Sequence, residues 1–132
     1  MKLEDFPEEQ KTKLEGLHKD TRAMLEAAGV VELLPVQQVA YKLFLDGGEI
    51  VVKSRTGTGK TLSFLLPLEE LIRRNKAEKG VSGVQAIILE PTRELAQQVQ
   101  TQVEKFTRLK SVLVYGGGVS RDQQSKCLSL QS

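Results

Sequence analysis

Apolar positions along this chain follow two different rhythms. Residues 8–28, EEQKTKLEGLHKDTRAMLEAA, place Leu14, Leu17, Met24 and Leu25 at helical intervals, which puts them on one face of an amphipathic helix. Gly16 loosens that helix, and Gly29 is a natural stop because glycine accepts the left-handed conformation that ends a helix. A second helix is predicted to open at Pro35, whose fixed φ suits a first turn, and to run through VQQVAYKLFL to Gly47 and Gly48. A third, TLSFLLPLEELIRRN, should be kinked or tightened at Pro67. A fourth is RELAQQVQTQVEKF. Between these lie short runs of the other rhythm, EIVVK, VQAIILE and SVLVY. They are β-branched and almost continuously apolar, as strands buried on both faces are.

Strands therefore alternate with helices, which predicts an α/β fold with a mainly parallel sheet flanked by helices. The polar stretch RRNKAEKGVSG reads as a solvated surface connection before the second strand. His18, on a polar helix without ligand-spaced partners, reads as a surface residue. No internal repeat interrupts the pattern.

Composition narrows the class without naming a function. A chain of 132 residues is one domain in size, with 39% hydrophobic and 27% charged residues, an ordinary soluble balance. The 19 Lys and Arg against 17 Asp and Glu leave a net charge of +2, so any nucleic-acid contact must be local rather than a global basic field. Cys127 is the single cysteine, which excludes an internal disulfide and suits a reducing compartment. The N-terminus lacks a signal-peptide core, and no run approaches the roughly 18 apolar residues of a membrane span. The expectation is an intracellular protein, nuclear or cytoplasmic, with no membrane partner.

The chemistry concentrates in SRTGTGKT, residues 54–61, between the first strand and the third helix. It follows the phosphate-loop pattern except that Ser54 replaces the first glycine. A strand that ends in glycines and feeds a helix presents free backbone N–H groups, backed by the helix dipole, to an anion. Ser54, Thr56, Gly57, Thr58 and Gly59 would form the curl, Gly57 and Gly59 allowing close approach to phosphate oxygens. Lys60 would meet the β- and γ-phosphates, and the Thr61 hydroxyl would hold Mg²⁺. The plainer alternative is a glycine turn with Lys60 solvated.

The order LLPVQQ, SRTGTGKT, PTRELAQQV and YGGG resembles the N-terminal part of a DEAD-box ATP-dependent RNA helicase, over residues 29–124. The resemblance implies part of a RecA-like phosphate-loop lobe, with residues 1–28 as a helical extension and 125–132 as a divergent tail. It assigns Gln37 to the adenine edge, which a carboxamide matches by donating and accepting together. Leu34 stands where the family often has Thr or Ser. Phe6 is the candidate for the family's base-stacking aromatic, but it lies farther from Gln37 than in the family. ATP and Mg²⁺ are the implied cofactors, with Lys60 and Thr61 as the catalytic pair.

The resemblance also implies RNA backbone contacts of low sequence specificity from Pro91, Thr92 and Arg93 and from Gly116 and Gly117. The competing readings are a capped helix with Arg93 paired to Glu90 or Glu94, and a simple turn at the glycines. Glu90, closing AIILE, could instead imitate a magnesium-holding acid, although the PTRELA that follows marks a different element. The chain contains no Asp-Glu-Ala-Asp, Ser-Ala-Thr or Thr-Pro-Gly-Arg, which the family carries later. The expectation is a fragment of a lobe that binds nucleotide but neither hydrolyses it nor unwinds RNA alone. A protein partner could supply or regulate the missing lobe. The alternative is a non-catalytic RNA- or partner-binding module; a small phosphate-loop kinase is disfavoured by PTRELA.

Overall fold

A computed structural model of the chain describes residues 3–53, 55 and 59–117. Among them are four α-helices: α1 (Lys19–Ala27), α2 (Pro35–Leu45), α3 (Lys60–Lys79) and α4 (Arg93–Phe106). Three single-turn 3-10 segments, Leu3–Asp5, Glu8–Gln10 and Leu14–Gly16, precede α1. The long N-terminal helix expected from residue 8 is therefore broken, and only its last part is α-helical. Tertiary bonding explains the break: the Thr12 N–H donates to Gln38 O at 2.9 Å, which draws the segment onto α2 instead of into a helical ladder. His18 lies before α1, and its Nδ1 accepts from the Asp20 N–H at 3.2 Å. It caps the helix rather than decorating its surface.

Local signals place the other helix ends. Gly29, at φ +84, turns the chain out of α1, and the Val30 N–H reaches back to Leu25 O at 2.9 Å. α2 opens with Pro35 at its first position. α3 runs without interruption through Pro67, which is buried, and continues across RRNKAEK to Gly80 at φ +62. That stretch is thus helix, not a surface connection. Its Arg, Lys, Ala and Glu residues are strong helix formers, and Arg74 pairs with Glu70 one turn earlier at 2.9 Å.

The core is helical. Leu14, Leu17, Leu25, Leu33, Tyr41, Leu62 and Leu66 form one cluster, with Val30, Leu45 and Phe106 packed against it. Leu25, Leu65 and Leu66 are fully buried, each stabilising the fold by about 1.5–3 kcal/mol relative to exposure. α2 lies against α3 along this cluster, and that packing brings the start of α2 to Gly59 at the start of α3.

The sheet expectation is not met: among the described residues none is in a strand. Residues 49–53, 84–90 and 111–115 have no regular secondary structure, and their apolar side chains face outward, with Val51 96%, Ile87 80% and Leu89 88% exposed. Strand character in a sequence is local, whereas a parallel ladder needs neighbours brought from distant chain and helices over both faces. Here the helices pair with each other, and those three runs are left without ladders.

A charged cluster ties α1 to α3. Arg73 donates from Nη2 to Thr21 Oγ1 at 2.9 Å, lies 3.5 Å from Glu69 Oε1, and pairs through Nη1 with Glu70. Glu69 is only 4% exposed, and its Oε2 is buried without a hydrogen-bond partner. Burial raises the Glu69 carboxyl above the ordinary glutamate range, against the pull of Arg73 and Arg108. Burial likewise lifts the Tyr41 phenol to about 12. The folded Glu69 holds its proton more tightly than the unfolded one. Its contribution is therefore fully present below the ordinary glutamate pKa and is lost as pH rises through the raised folded value. Glu69→Gln is expected to flatten that decline. Unfolding midpoints between about pH 4 and about pH 8 test this, and an unchanged slope would contradict it.

Candidate functional site

The N-terminus of α3 and the start of α2 meet at one residue, Gly59. Gly59 caps α3 in the left-handed conformation, φ +78 and ψ +27. The first bond of the helix runs from the Ser63 N–H to Gly59 O at 3.2 Å, so the first turn of α3 points its N–H groups out of the helix end. The Lys60 side chain is exposed and Thr61 is half-buried. This is the arrangement that favours an anion with a cation and a hydroxyl beside it.

Gln37, 3% exposed, closes the arrangement from below. Its Oε1 accepts from the Leu34 N–H at 2.8 Å, and its Nε2 donates to Gly59 O at 3.2 Å. One carboxamide thus caps α2 and fastens α2 to the loop exit. Leu34 precedes α2 without any side-chain cap bond, so Gln37 does the capping that a hydroxyl there would share. Beyond the two bonds it makes among the described residues, a carboxamide carries one further Nε2 hydrogen and one further Oε1 lone pair. The approach is so close that a Cβ on Gly59 would lie 2.4 Å from Gln37 Nε2 and 2.9 Å from Leu34 Cδ1. Glycine is needed here both for its backbone angle and for the missing side chain. Ser54, Thr56, Gly57 and Thr58, also assigned to the loop, lie outside the described residues.

One cleft borders this junction and a second lies farther along α2 and α3. The first, of about 280 Å³, is lined by Ala40, Phe44, Ile50, Val52, Lys60, Ser63 and Phe64. Its walls are mostly hydrocarbon, so it is not itself a phosphate cup. The second, a wider cleft of about 730 Å³, lies between the N-terminal segment and α2 and α3, with Lys11, His18, Tyr41, Lys42, Asp46 and Arg74 among its walls. Phe6, half-buried, lines neither.

The second group of assigned residues surrounds the N-terminus of α4. Thr92 is its N-cap, and Thr92 Oγ1 accepts from the Leu95 N–H at 3.2 Å. Arg93 makes no ion pair with Glu90 or Glu94 among the described residues. Its guanidinium instead lies over the Tyr115 ring, 3.8 Å from the centroid. That contact ties the start of α4 to Tyr115, the residue that precedes Gly116 and Gly117 in the sequence. Pro91, Thr92, Arg93, Gly116 and Gly117 are all exposed. Gly117, at φ +111, turns the chain where a side chain would be strained. No cluster of three or more His, Cys, Asp or Glu exists among the described residues to hold a metal ion, and Glu90 belongs to none. Gly118 and Cys127 lie outside the described residues.

The described residues thus bring together a glycine-capped helix end bonded to a buried glutamine and a Thr-capped helix whose first arginine lies over a tyrosine ring. Residues 34–131 match the DEAD/DEAH box helicase family, and the chain belongs to that family. It is 41% identical over 115 residues to the DEAD-box ATP-dependent RNA helicase CshA of Streptococcus pneumoniae, covering 86% of this chain and 21% of CshA. The chain thus spans about a fifth of that relative's length. It superposes on the crystal structure of a DEAD box protein from Methanococcus jannaschii with a TM-score of 0.70 at 35% identity, covering 84% of this chain and 30% of that one. Mss116p, solved bound to ssRNA and AMP-PNP, superposes with a TM-score of 0.79 at 27% identity, covering 96% and 28%. The backbone path is therefore shared with these proteins even where ladders are not formed.

Two features escaped the sequence. The Arg93–Tyr115 stack joins residues whose separation has no helical or strand period, so no spacing rule could find it. The obligatory contact of Gly59 with Gln37 was hidden because GKT already explains a glycine at that position by phosphate approach.

Proposed function

We propose that this chain is the ATP-binding part of an ATP-dependent RNA helicase whose parent couples ATP hydrolysis to RNA duplex remodelling. The observation that carries the proposal is the Gln37 Nε2 to Gly59 O bond at 3.2 Å, which joins the base-reading candidate to the helix end bearing Lys60 and Thr61. Residues 29–124 would be the partial RecA-like domain, with 1–28 a helical extension and 125–132 a tail. Lys60 would meet the β- and γ-phosphates, and Thr61, half-buried at the second position of α3, would offer its hydroxyl to Mg²⁺. Magnesium would supply charge neutralisation on the phosphates. Gln37 would turn its remaining donor and acceptor to adenine. Ser54, Thr56, Gly57, Thr58 and Gly59 would supply the cradle of backbone amides.

RNA would be held by its backbone at Pro91, Thr92, Arg93, Gly116 and Gly117, with little sequence preference. No helix among the described residues is long and apolar enough to cross a membrane, and an intracellular site of action is part of the same reading. Lys60→Ala is expected to weaken ATP binding at least about tenfold in an equilibrium titration. Unchanged affinity would remove the site.

A second reading, a non-catalytic RNA- or partner-binding module, draws on a separate observation. The Arg93 guanidinium lies over the ring of Tyr115, a contact between two residues that are not assigned to the nucleotide site. Purified chain that binds single-stranded RNA without nucleotide, and has no ATPase activity, would favour it.

A further inference from the structure

The Arg93 guanidinium lies over the Tyr115 ring face, 3.8 Å from its centroid. A ring in that position covers the face of the guanidinium, while the five N–H donors radiate from its edge in the guanidinium plane. The stack therefore leaves the fork that grips a phosphate available. Among the described residues no carboxylate lies in ion-pairing range of that fork. Tyr115 is half-buried and directly precedes Gly116 and Gly117, where an added Cβ would meet nothing within 4 Å. Open glycine backbone thus follows directly on the residue whose ring meets the cation.

We propose that Tyr115 is a positioning residue for RNA backbone binding, its ring holding the Arg93 guanidinium edge-on to a phosphate beside Gly116 and Gly117. This rests on the reading of Arg93 as an RNA contact and adds a residue that reading does not contain. A free arginine loses most of its rotamer freedom when it grips a phosphate, whereas a stacked one has lost it beforehand. The ring therefore strengthens binding without adding charge.

Anisotropy titration of the full chain against a labelled single-stranded oligouridylate, at several salt concentrations, tests the proposal. Tyr115→Leu is expected to weaken binding about threefold with the salt slope unchanged. Tyr115→Phe, which keeps the ring, should restore native affinity. Arg93→Ala should weaken binding about tenfold and reduce the salt slope by about one. Arg93→Lys keeps the charge but loses the planar stack, and should fall between native and Arg93→Ala. Tyr115→Leu should add nothing once Arg93 is Ala. Native affinity in Tyr115→Leu, or losses that add independently in the double variant, would overturn the positioning role while leaving the RNA site standing. Should Tyr115→Leu lose its helical circular dichroism, Arg93→Lys decides, and native affinity there overturns the proposal. If Arg93→Ala itself binds RNA normally, the underlying RNA reading is what fails.

Discussion

Gly59→Ala is expected to lower the stability of the fold by about 3 kcal/mol and to weaken ATP binding with it. Two separable causes add. An alanine at φ +78 sits in the left-handed region, which costs about 1–2 kcal/mol. Its Cβ would also stand 2.4 Å from Gln37 Nε2 and 2.9 Å from Leu34 Cδ1, so the carboxamide must withdraw. Withdrawal breaks its bond to Gly59 O and leaves a buried amide short of a partner, worth about 1–3 kcal/mol. Gly59→Asn separates the causes, because Asn tolerates the backbone angle but not the contact. Chemical denaturation of both variants measures the two contributions. A Gly59→Ala protein as stable as the parent would show that α2 and the loop are not joined in this way.

Arg73→Ala is expected to cost about 3 kcal/mol at neutral pH. The guanidinium joins Thr21 on α1 to Glu69 and Glu70 on α3, and its loss leaves the Glu69 carboxylate, 4% exposed, without its nearest cation. Removing one partner of a buried pair is more costly than never having had the pair. The loss should shrink as pH falls, since Glu69, already raised by burial, then takes up a proton and no longer needs the charge. Glu69→Gln in the same background should recover most of the stability at neutral pH. A loss of only about 0.5 kcal/mol, independent of pH, would mark Arg73 as an ordinary surface pair.

These two results bear on how the site is held. The Gln37 and Gly59 junction sits at the end of α3, and the Arg73 cluster fixes the same helix to α1 lower down. A nucleotide at the loop would feel both, one directly and the other through the position of α3.

Much of this was legible in local spacing. Pro35, Gly29 and Gly47 mark helix ends because their backbone preferences need no tertiary context. The ordered series of Gln37, Lys60 with Thr61, Thr92 with Arg93 and Gly116 with Gly117 could be picked out as chemistry because each sits at an element boundary. Two readings failed. Residues 8–16 carry helical periodicity, yet Thr12 bonds to Gln38 instead. RRNKAEK looks like a solvated loop by charge, yet its acid–base spacing and Gly80 extend α3. In the first a distant partner decided the outcome; in the second, helix propensity and pairing one turn apart outweighed the solvated look of the charge run.

The linear order of residues determined the family, the helix boundaries set by proline and glycine, and which side chains are candidates for phosphate chemistry. All of these depend on residue identity and short-range backbone geometry. Only the tertiary structure decided that Gln37 is buried against Gly59, that Arg93 stacks on Tyr115 rather than pairing with Glu90 or Glu94, and that 49–53, 84–90 and 111–115 form no ladder. Those outcomes depend on which distant segments meet, and the meeting is set by how the α2–α3 core closes.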